Sequence, residues 1–260
     1  MKKTLIALAV AASAVVSGSA MAWTANGTGG NVELGGTLTP VEKVTPWEVS
    51  VGAAVNGLDA QIQKGSSSIS VIHANPIPLL GIRNNSASGF KGQPGIDPQI
   101  NFHGAIDTAQ FFQDGKGRVY LNATAHDDNG SKIGTMKTVL RVAAQASNST
   151  DSNVMLYASS AASGFFGGLP RTADGVFNSA DAYAYATSLF PGISDTWSNN
   201  GTRYTNRTGE FEFSNENHIY YAYYAAGIPN DENLIINLDT PAANDAIKWK
   251  VSLPITVSYQ

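Results

Sequence analysis

The chain ends on AIKWKVSLPITVSYQ. Every odd position in this stretch is apolar: Ile247, Trp249, Val251, Leu253, Ile255, Val257 and Tyr259. Side chains of a β-strand alternate between its two faces, so this sustained period of two predicts one long strand with a single buried face. Pro254 falls at an even, outward position, where its missing N–H need not interrupt a ladder. In an immunoglobulin-like sandwich such a strand needs a further strand beside it, and the sequence stops before supplying one.

The opposite end poses the complementary problem. In GGNVELGGTLTP, residues 29–40, Val32, Leu34, Gly36 and Leu38 share one face, and Glu33, Gly35 and Thr37 the other. This is a short strand flanked by glycines, Pro40 and Pro46, with no hairpin partner nearby. It either folds back as an edge strand of its own chain or enters a neighbour's open groove. The second mode is β-strand addition, as in donor-strand complementation of pilins. The spacing then places Val32, Leu34 and Leu38 against groove walls, and Gly36 where the groove is too narrow for a side chain.

Composition narrows the class. The first 22 residues read as a secretory leader: Lys2 and Lys3, an apolar run from Leu5 to Val16, and a small-x-small end at Ala20-Met21-Ala22. No stretch reaches the length of a membrane span. The chain has no cysteine, which excludes disulfides, thiolate metal sites and thiol nucleophiles. Acidic residues outnumber basic ones, 20 to 16, which argues against a nucleic-acid partner.

Short alternating runs begin at Trp47 and recur at SSISVIH, PIPLLGIR, PQINFHGAI, HIYYAYYAAG and ENLIINLDTP. Pro76 and Pro78 mark an edge or bulge, and residues 83–97 read as a loop. GRVYLNATAH and SKIGTMKTVLRVAAQ flank a turn at Asn129-Gly130, which makes the clearest hairpin. Helix-like texture is confined to VMLYASSAASGFFGGLPR and NSADAYAYATSLFPG; the second has Asn178 or Ser179 as N-cap and Pro191-Gly192 as a stop. About nine strands with one small helical patch predict an all-β, incomplete Ig-like sandwich lacking its last strand, with a partly helical insertion at about 145–215. The expected division is a leader at 1–22, a donor-strand extension and linker at 23–46, and a pilin domain at 47–260.

Several stretches resemble the chaperone–usher fimbrial subunits, most closely the FaeG-type fimbrial major subunit and adhesin family of enteric bacteria. They are the leader MKKTLIALAVAASA, NVELGGTLT, GKGRVYLNATAHDDNGSKIGTMK, SGFFGGLPR and the closing AAGIPNDENLIINLDTP…WKVSLPITVSYQ. The penultimate Tyr259 is similar to the tyrosine such subunits present to a periplasmic chaperone. The glycine usual about a dozen residues before the end of such chains is missing here, where Ile247 and its neighbours stand.

The resemblance implies a non-enzymatic, exported subunit of an extracellular fimbria. A periplasmic chaperone would hold the strand from Trp249 to Tyr259, an outer-membrane usher would assemble identical subunits by strand exchange, and the insertion would bind a host glycoconjugate. Aromatic and planar polar side chains suit sugar recognition. The candidates in the insertion are Phe165, Phe166, Arg171, Trp197, Asn199, Asn200, Arg203 and Tyr204. A minor subunit of the same fibre without sugar binding, or a free secreted glycan-binding or glycan-active protein, are the alternatives.

Enzymatic and metal motifs do not emerge. His73, His103, His126 and His218 lack metal-ligand spacing, and no nucleophile elbow or phosphate loop is present. Asp127-Asp128 and Asp231-Glu232 fit turns better than acid–base pairs. No cofactor is expected. In YYAYY, Tyr220 and Tyr224 should face one side of a strand and Tyr221 and Tyr223 the other.

Overall fold

The computed structural model describes residues 25–28, 32–39, 44–151, 153–199 and 207–260. The expected leader lies outside them. Two units are distinguished, Met1–Lys43 and Val44–Gln260. Within the first, residues 32–39 belong to no helix or strand.

Among the described residues, the second unit is all-β apart from one α-helix and three short 3-10 turns. Its strands are β1 (Trp47–Val51), β2 (Ser68–Val71), β3 (Ile77–Asn84), β4 (Phe90–Lys91), β5 (Pro98–Asn101), β6 (Arg118–His126), β7 (Lys132–Ser147), β8 (Val154–Leu156), β9 (Thr208–Gly209), β10 (Ile219–Ile228), β11 (Leu234–Leu238), β12 (Lys250–Val251) and β13 (Thr256–Tyr259). The helix is α1 (Asp181–Leu189). The main path of the large sheet runs β1-β3-β10-β7-β11-β2, with β12 joined through β6 to β7. β13 pairs with β5 in a second, two-stranded sheet.

The expected hairpin organises this sheet. β6 and β7 pair from Arg118↔Arg141 to His126↔Lys132. Gly130 takes φ +85°, a left-handed conformation that glycine adopts without penalty. Asp127 Oδ1 accepts from the N–H groups of Asn129 (2.9 Å) and Ser131 (2.8 Å), which fixes the turn. β7 is 16 residues long because its partner edge is filled in two steps. β10 covers Arg141–Ser147 and β11 covers Gly134–Lys137.

Alternation along the strands separates two apolar layers. Tyr220 and Tyr224 point into the main core with Trp47, Phe90, Phe165 and Phe213. Tyr223 points to the other side, where Ala182, Ala186 and Leu189 of α1 cover the sheet. In the main core Trp47 sits edge-on to Phe90, centroids 4.8 Å apart, and donates its indole N–H to Ile96 O at 2.7 Å.

Several expectations shift. Residues 153–172 do not form a helix: they give the short strand β8 and then irregular turns. The reason is visible at Phe165, held at φ +61° and buried, which no helix accommodates. α1 forms where expected, with Ser179 Oγ accepting from Asp181 N–H at 3.1 Å, although Ala180 occupies the N-cap position itself. Pro191 does stop it, by opening a 3-10 turn. The expected loop over 83–97 begins inside β3, which runs to Asn84, contains the two-residue strand β4 and buries Phe90 and Ile96. The long C-terminal strand is divided into β12 and β13 by residues 252–255, which include Pro254. The chain changes partner there, from β6 to β5, and a residue without an N–H sits at the changeover.

Candidate functional site

From Trp249 to Gln260, burial alternates without exception: odd residues are half-buried and even residues exposed. Trp249, Val251, Leu253, Ile255, Val257 and Tyr259 all lie against the main core. The predicted inward face is therefore the inward face, but not one of these side chains reaches full burial. Ile247 is 39% exposed. The strand's neighbours explain this. β12 pairs only with β6 and β13 only with β5 among the described residues.

An apolar groove of about 1200 Å³ runs beside this strand. Its floor is the inner face of the sheet, including Val71, Ile77, Met136, Leu234 and Ile236, all buried. One wall is the C-terminal strand from Ala246 to Ile255. The other is the segment 51–62, of which residues 52–62 belong to no strand. Val51 and Val55 on that wall are 65% and 44% exposed. At one end the walls meet: Gly65 N–H donates to Ala242 O (2.8 Å), Ala242 N–H to Ser66 O (2.8 Å), and Lys64 Nζ to Asn244 Oδ1 (2.6 Å). Sequence reading gave no role to residues 52–62, which show no period and carry no charge pattern. Only the fold reveals them as the second wall.

In the N-terminal unit, taken by itself, residues 32–39 belong to no helix or strand. Val32, Leu34 and Leu38 are 85%, 94% and 97% exposed. A Cβ added at Gly36 would meet nothing within 4 Å.

The candidate sugar-binding residues do not gather in one place. Phe165 is fully buried, stacked on Tyr224 at 5.7 Å and edge-on to Trp47 and Phe213. It is a core residue and offers no ring face to a ligand. Phe166 beside it is half-buried, with the exposed Arg171 guanidinium 5.4 Å above its ring. Trp197 is half-buried on the opposite side of the sheet, edge-on to Tyr223 at 5.0 Å, and Asn199 follows it. Tyr223 and Tyr224 are consecutive residues of β10, so their partners must lie on opposite faces. Asn200, Arg203 and Tyr204 lie outside the described residues.

Buried polar contacts tie the region around α1 and β8 to β7 and β10. Tyr223 donates to Gln145 Oε1, and Gln145 donates to Asn153 Oδ1 at 2.7 Å. Tyr185 donates to Gly227 O at 3.0 Å, and burial raises its phenol well above the ordinary range. Desolvation also raises Tyr223 and Tyr224, so all three stay neutral and act as packing groups. No group of three or more potential metal ligands occurs among the described residues. No described helix is long and apolar enough to cross a membrane.

The site is thus a β-sandwich with an apolar groove beside its half-buried C-terminal strand. The chain belongs to the fimbrial major and minor subunit family, whose model matches residues 1–260. It is similar to K88 fimbrial protein AC and K88 fimbrial protein AD of Escherichia coli, at 28% and 29% identity over the whole of both chains. It is likewise 28% identical to the F41 fimbrial protein of Escherichia coli, again over both full lengths. The chain is thus a non-enzymatic structural subunit of an extracellular surface fibre, built from copies of itself.

Proposed function

We propose that the fibre forms by donor-strand complementation, with residues 32–38 of one subunit filling the groove of the next. The observation that carries this reading is the half-burial of every inward residue from Trp249 to Tyr259 beside an open apolar groove. Burying Val32, Leu34 and Leu38 there would contribute about 5–8 kcal/mol before the cost of ordering the segment. Ladder hydrogen bonds to residues 53–62, which belong to no strand, and to the C-terminal strand would add to it.

Before assembly the same groove needs a temporary occupant, because an apolar surface of this size in solution invites aggregation. A periplasmic chaperone that lends a strand along Trp249–Tyr259 fills that role, and an outer-membrane usher would exchange it for the next subunit's segment. Tyr259→Ala should then lower the periplasmic yield of subunit; unchanged yield would count against this contact. Binding of host carbohydrate is the further part of the reading. Its support is the exposed Arg171 over Phe166 and the half-buried Trp197 beside Asn199. Their separation onto two faces favours at most one of them as a sugar surface.

The deciding experiment compares the chain with a version lacking residues 23–39, each co-produced with a matching chaperone and usher. Unheated samples are run on a denaturing gel. A ladder of polymers from the full chain alone supports strand donation. Ladders of equal strength from both would refute it.

A further inference from the structure

β1 opens the second unit, and its grip on the fold is narrow. Of its five residues only Trp47 is buried. Val49 and Val51 are exposed, and β1 pairs with β3 and with no other strand among the described residues. Trp47 sits near the C-terminus: its indole donates to Ile96 O, and the backbone of the next residue, Asp97, exchanges hydrogen bonds with Gln260. From there the chain runs through β1 into the groove wall 52–62 and on to Lys64, at the end where the two walls meet. Gly52 is the crossing point. Its N–H donates to Leu79 O at 3.1 Å, and a Cβ there would fall 1.8 Å from Pro78 O, so only glycine lets the chain pass. Strand and wall are one continuous run, and whatever moves β1 moves the wall.

One side chain grips the middle of this run. Glu48 faces Arg83 across the β1–β3 pair. Arg83 Nε and Nη2 both donate to Glu48 Oε2 at 2.8 Å. Its Nη1 donates to Asp195 Oδ2 at 3.0 Å and to Gly192 O, both in the turn after α1. The bond to Glu48 is the largest influence on the guanidinium and raises its pKa against partial desolvation. A second arginine is held in the same manner elsewhere. Arg118 Nε and Nη2 donate to Asp114 Oδ2 at 2.9 and 2.6 Å, and Nη1 donates to Glu232 Oε1 at 3.1 Å. That cluster joins the loop before β6 to the turn between β10 and β11 and touches neither β1 nor the wall. Its acids are the more buried: Asp114 and Glu232 are 27% and 23% exposed, against 50% and 68% for Glu48 and Asp195.

We propose that the Glu48–Arg83–Asp195 cluster is a load-bearing clasp that keeps tension on the fibre from opening the groove. The inference rests on the strand-donation reading. In a fibre joined that way each subunit is pulled at its linker, which enters the fold at Trp47, and at its groove, by the segment seated there. β1 lies between those two points along the chain. Its ladder bonds to β3 stand perpendicular to the strand, so a pull along β1 loads them together, but they are few. Once β1 slides off β3, residues 52–62 follow and the groove loses one side. Charge-assisted bonds in a fork resist that slide better than single neutral bonds, and Asp195 extends the grip to a second element. Ion pairs this exposed add little to stability at rest. Forced opening is governed by an unfolding rate, which depends on whether a contact lies on the strained path. A staple for the turn alone would need Asp195 and Gly192 but not the fork on Glu48.

The test holds assembled fibres of the full chain at constant tension in an optical trap and reads the rate of stepwise lengthening. Thermal midpoints of the same fibres are measured in parallel. Arg83→Met should raise the lengthening rate about tenfold or more, as expected for loss of charge-assisted bonds. Glu48→Gln, which keeps an acceptor and removes the charge, should raise it less. Arg118→Met should lower the thermal midpoint at least as far as Arg83→Met and leave the lengthening rate unchanged. The order by heat and the order by tension are then opposite. A lengthening rate that rises as much in Arg118→Met as in Arg83→Met overturns the clasp, because ordinary stability explains both. A rate that Arg83→Met and Glu48→Gln leave unchanged overturns it as well. Should Arg83→Met not assemble, Glu48→Gln against Asp114→Asn decides the same comparison. Polymer ladders that form equally without residues 23–39 overturn strand donation itself; ladders that need those residues, from fibres whose variants rank by heat alone, overturn only the clasp.

Discussion

β10 and the C-terminal strand are equally apolar on their inward faces, yet they meet opposite fates. Eight of the ten residues of β10 are buried, whereas the six inward residues from Trp249 to Tyr259 stop at half-burial. β10 has β3 on one edge, β7 on the other and α1 over its outer face. The C-terminal strand has one partner at each of its two short paired stretches. Sequence pattern decides which face turns inward; only neighbours decide whether that face becomes dry. A strand paired along one side at each stretch keeps its inward face half-buried however regular its pattern.

The largest expected effect comes from supplying the neighbour. Appending a second copy of residues 30–39 after Gln260 through a short flexible linker should make the groove fill intramolecularly. Thermal unfolding should rise by many degrees, in line with about 5–8 kcal/mol of added burial before ordering costs. The product should stay monomeric on an unheated denaturing gel. An unchanged midpoint would break the comparison at its root.

The next pair of variants asks whether the two strands differ in the way burial implies. Tyr224→Ala empties a fully enclosed site and should cost about 3–5 kcal/mol whether or not the groove is filled. Leu253→Ala should cost below about 2 kcal/mol in the unassembled subunit and about 2–5 kcal/mol in the strand-appended form. Equal costs for Leu253→Ala in both forms, measured by urea unfolding, would show that the appended strand leaves that wall unchanged. Gly36→Leu sharpens the same point from the donor side. It adds bulk where the alternating series leaves none, and the polymer ladder should weaken without loss of subunit solubility.

How much of this was readable in advance follows from the range of each interaction. Period-two alternation is local, so the inward face of the C-terminal strand, the 120–140 hairpin and the opposite facing of Tyr223 and Tyr224 were all legible. The groove's second wall was not, because residues 52–62 mix small, apolar and polar side chains without a period and acquire meaning only by lining the same groove as Trp249 and Leu253. The triad of Glu48, Arg83 and Asp195 was equally hidden. Its members are separated by 35 and 112 positions, and only the β1–β3 register and the turn after α1 bring them together. The aromatic candidates failed as a group for a related reason. Sequence nearness put Phe165 with Phe166, and composition put Trp197 with both, but β10 sends neighbours to opposite faces. Phe165, one of the sugar-binding candidates, has a positive φ and stacks inward against Tyr224.

A smaller effect tests the insertion's own anchorage. Trp197 packs edge-on against Tyr223, which is buried, while one side of the indole stays accessible. Trp197→Ala should cost about 1–3 kcal/mol, less than Tyr224→Ala, because the site opens to solvent and no closed cavity remains. Fibre assembly should be unaffected. A loss comparable to that of Tyr224→Ala would mean that the outer layer is as closed as the main core, which would remove the distinction between the two faces of β10.

The smallest effect lies in pH. Glu210 accepts from Ser159 N–H at 2.5 Å and from Ser163 Oγ–H at 2.8 Å, and so ties the loop that precedes Phe165. Partial burial is the largest single influence and pushes its pKa up, but the bonds from Ser159 and Ser163 together outweigh it and leave the carboxyl below its usual 4.5. The folded value is therefore depressed relative to the unfolded chain. The carboxylate stabilises the fold fully above pH 4.5, and that contribution is lost as pH falls through the lower folded value. The side chain is exposed, so the contribution is screened and stays below about 1 kcal/mol. Glu210→Gln should lower the urea midpoint slightly at neutral pH and bring the two chains' midpoints together as the medium is acidified past that window. A gap between them that widens on acidification would reverse the sign and show that burial, rather than the two serine donors, governs this carboxyl and the loop it holds.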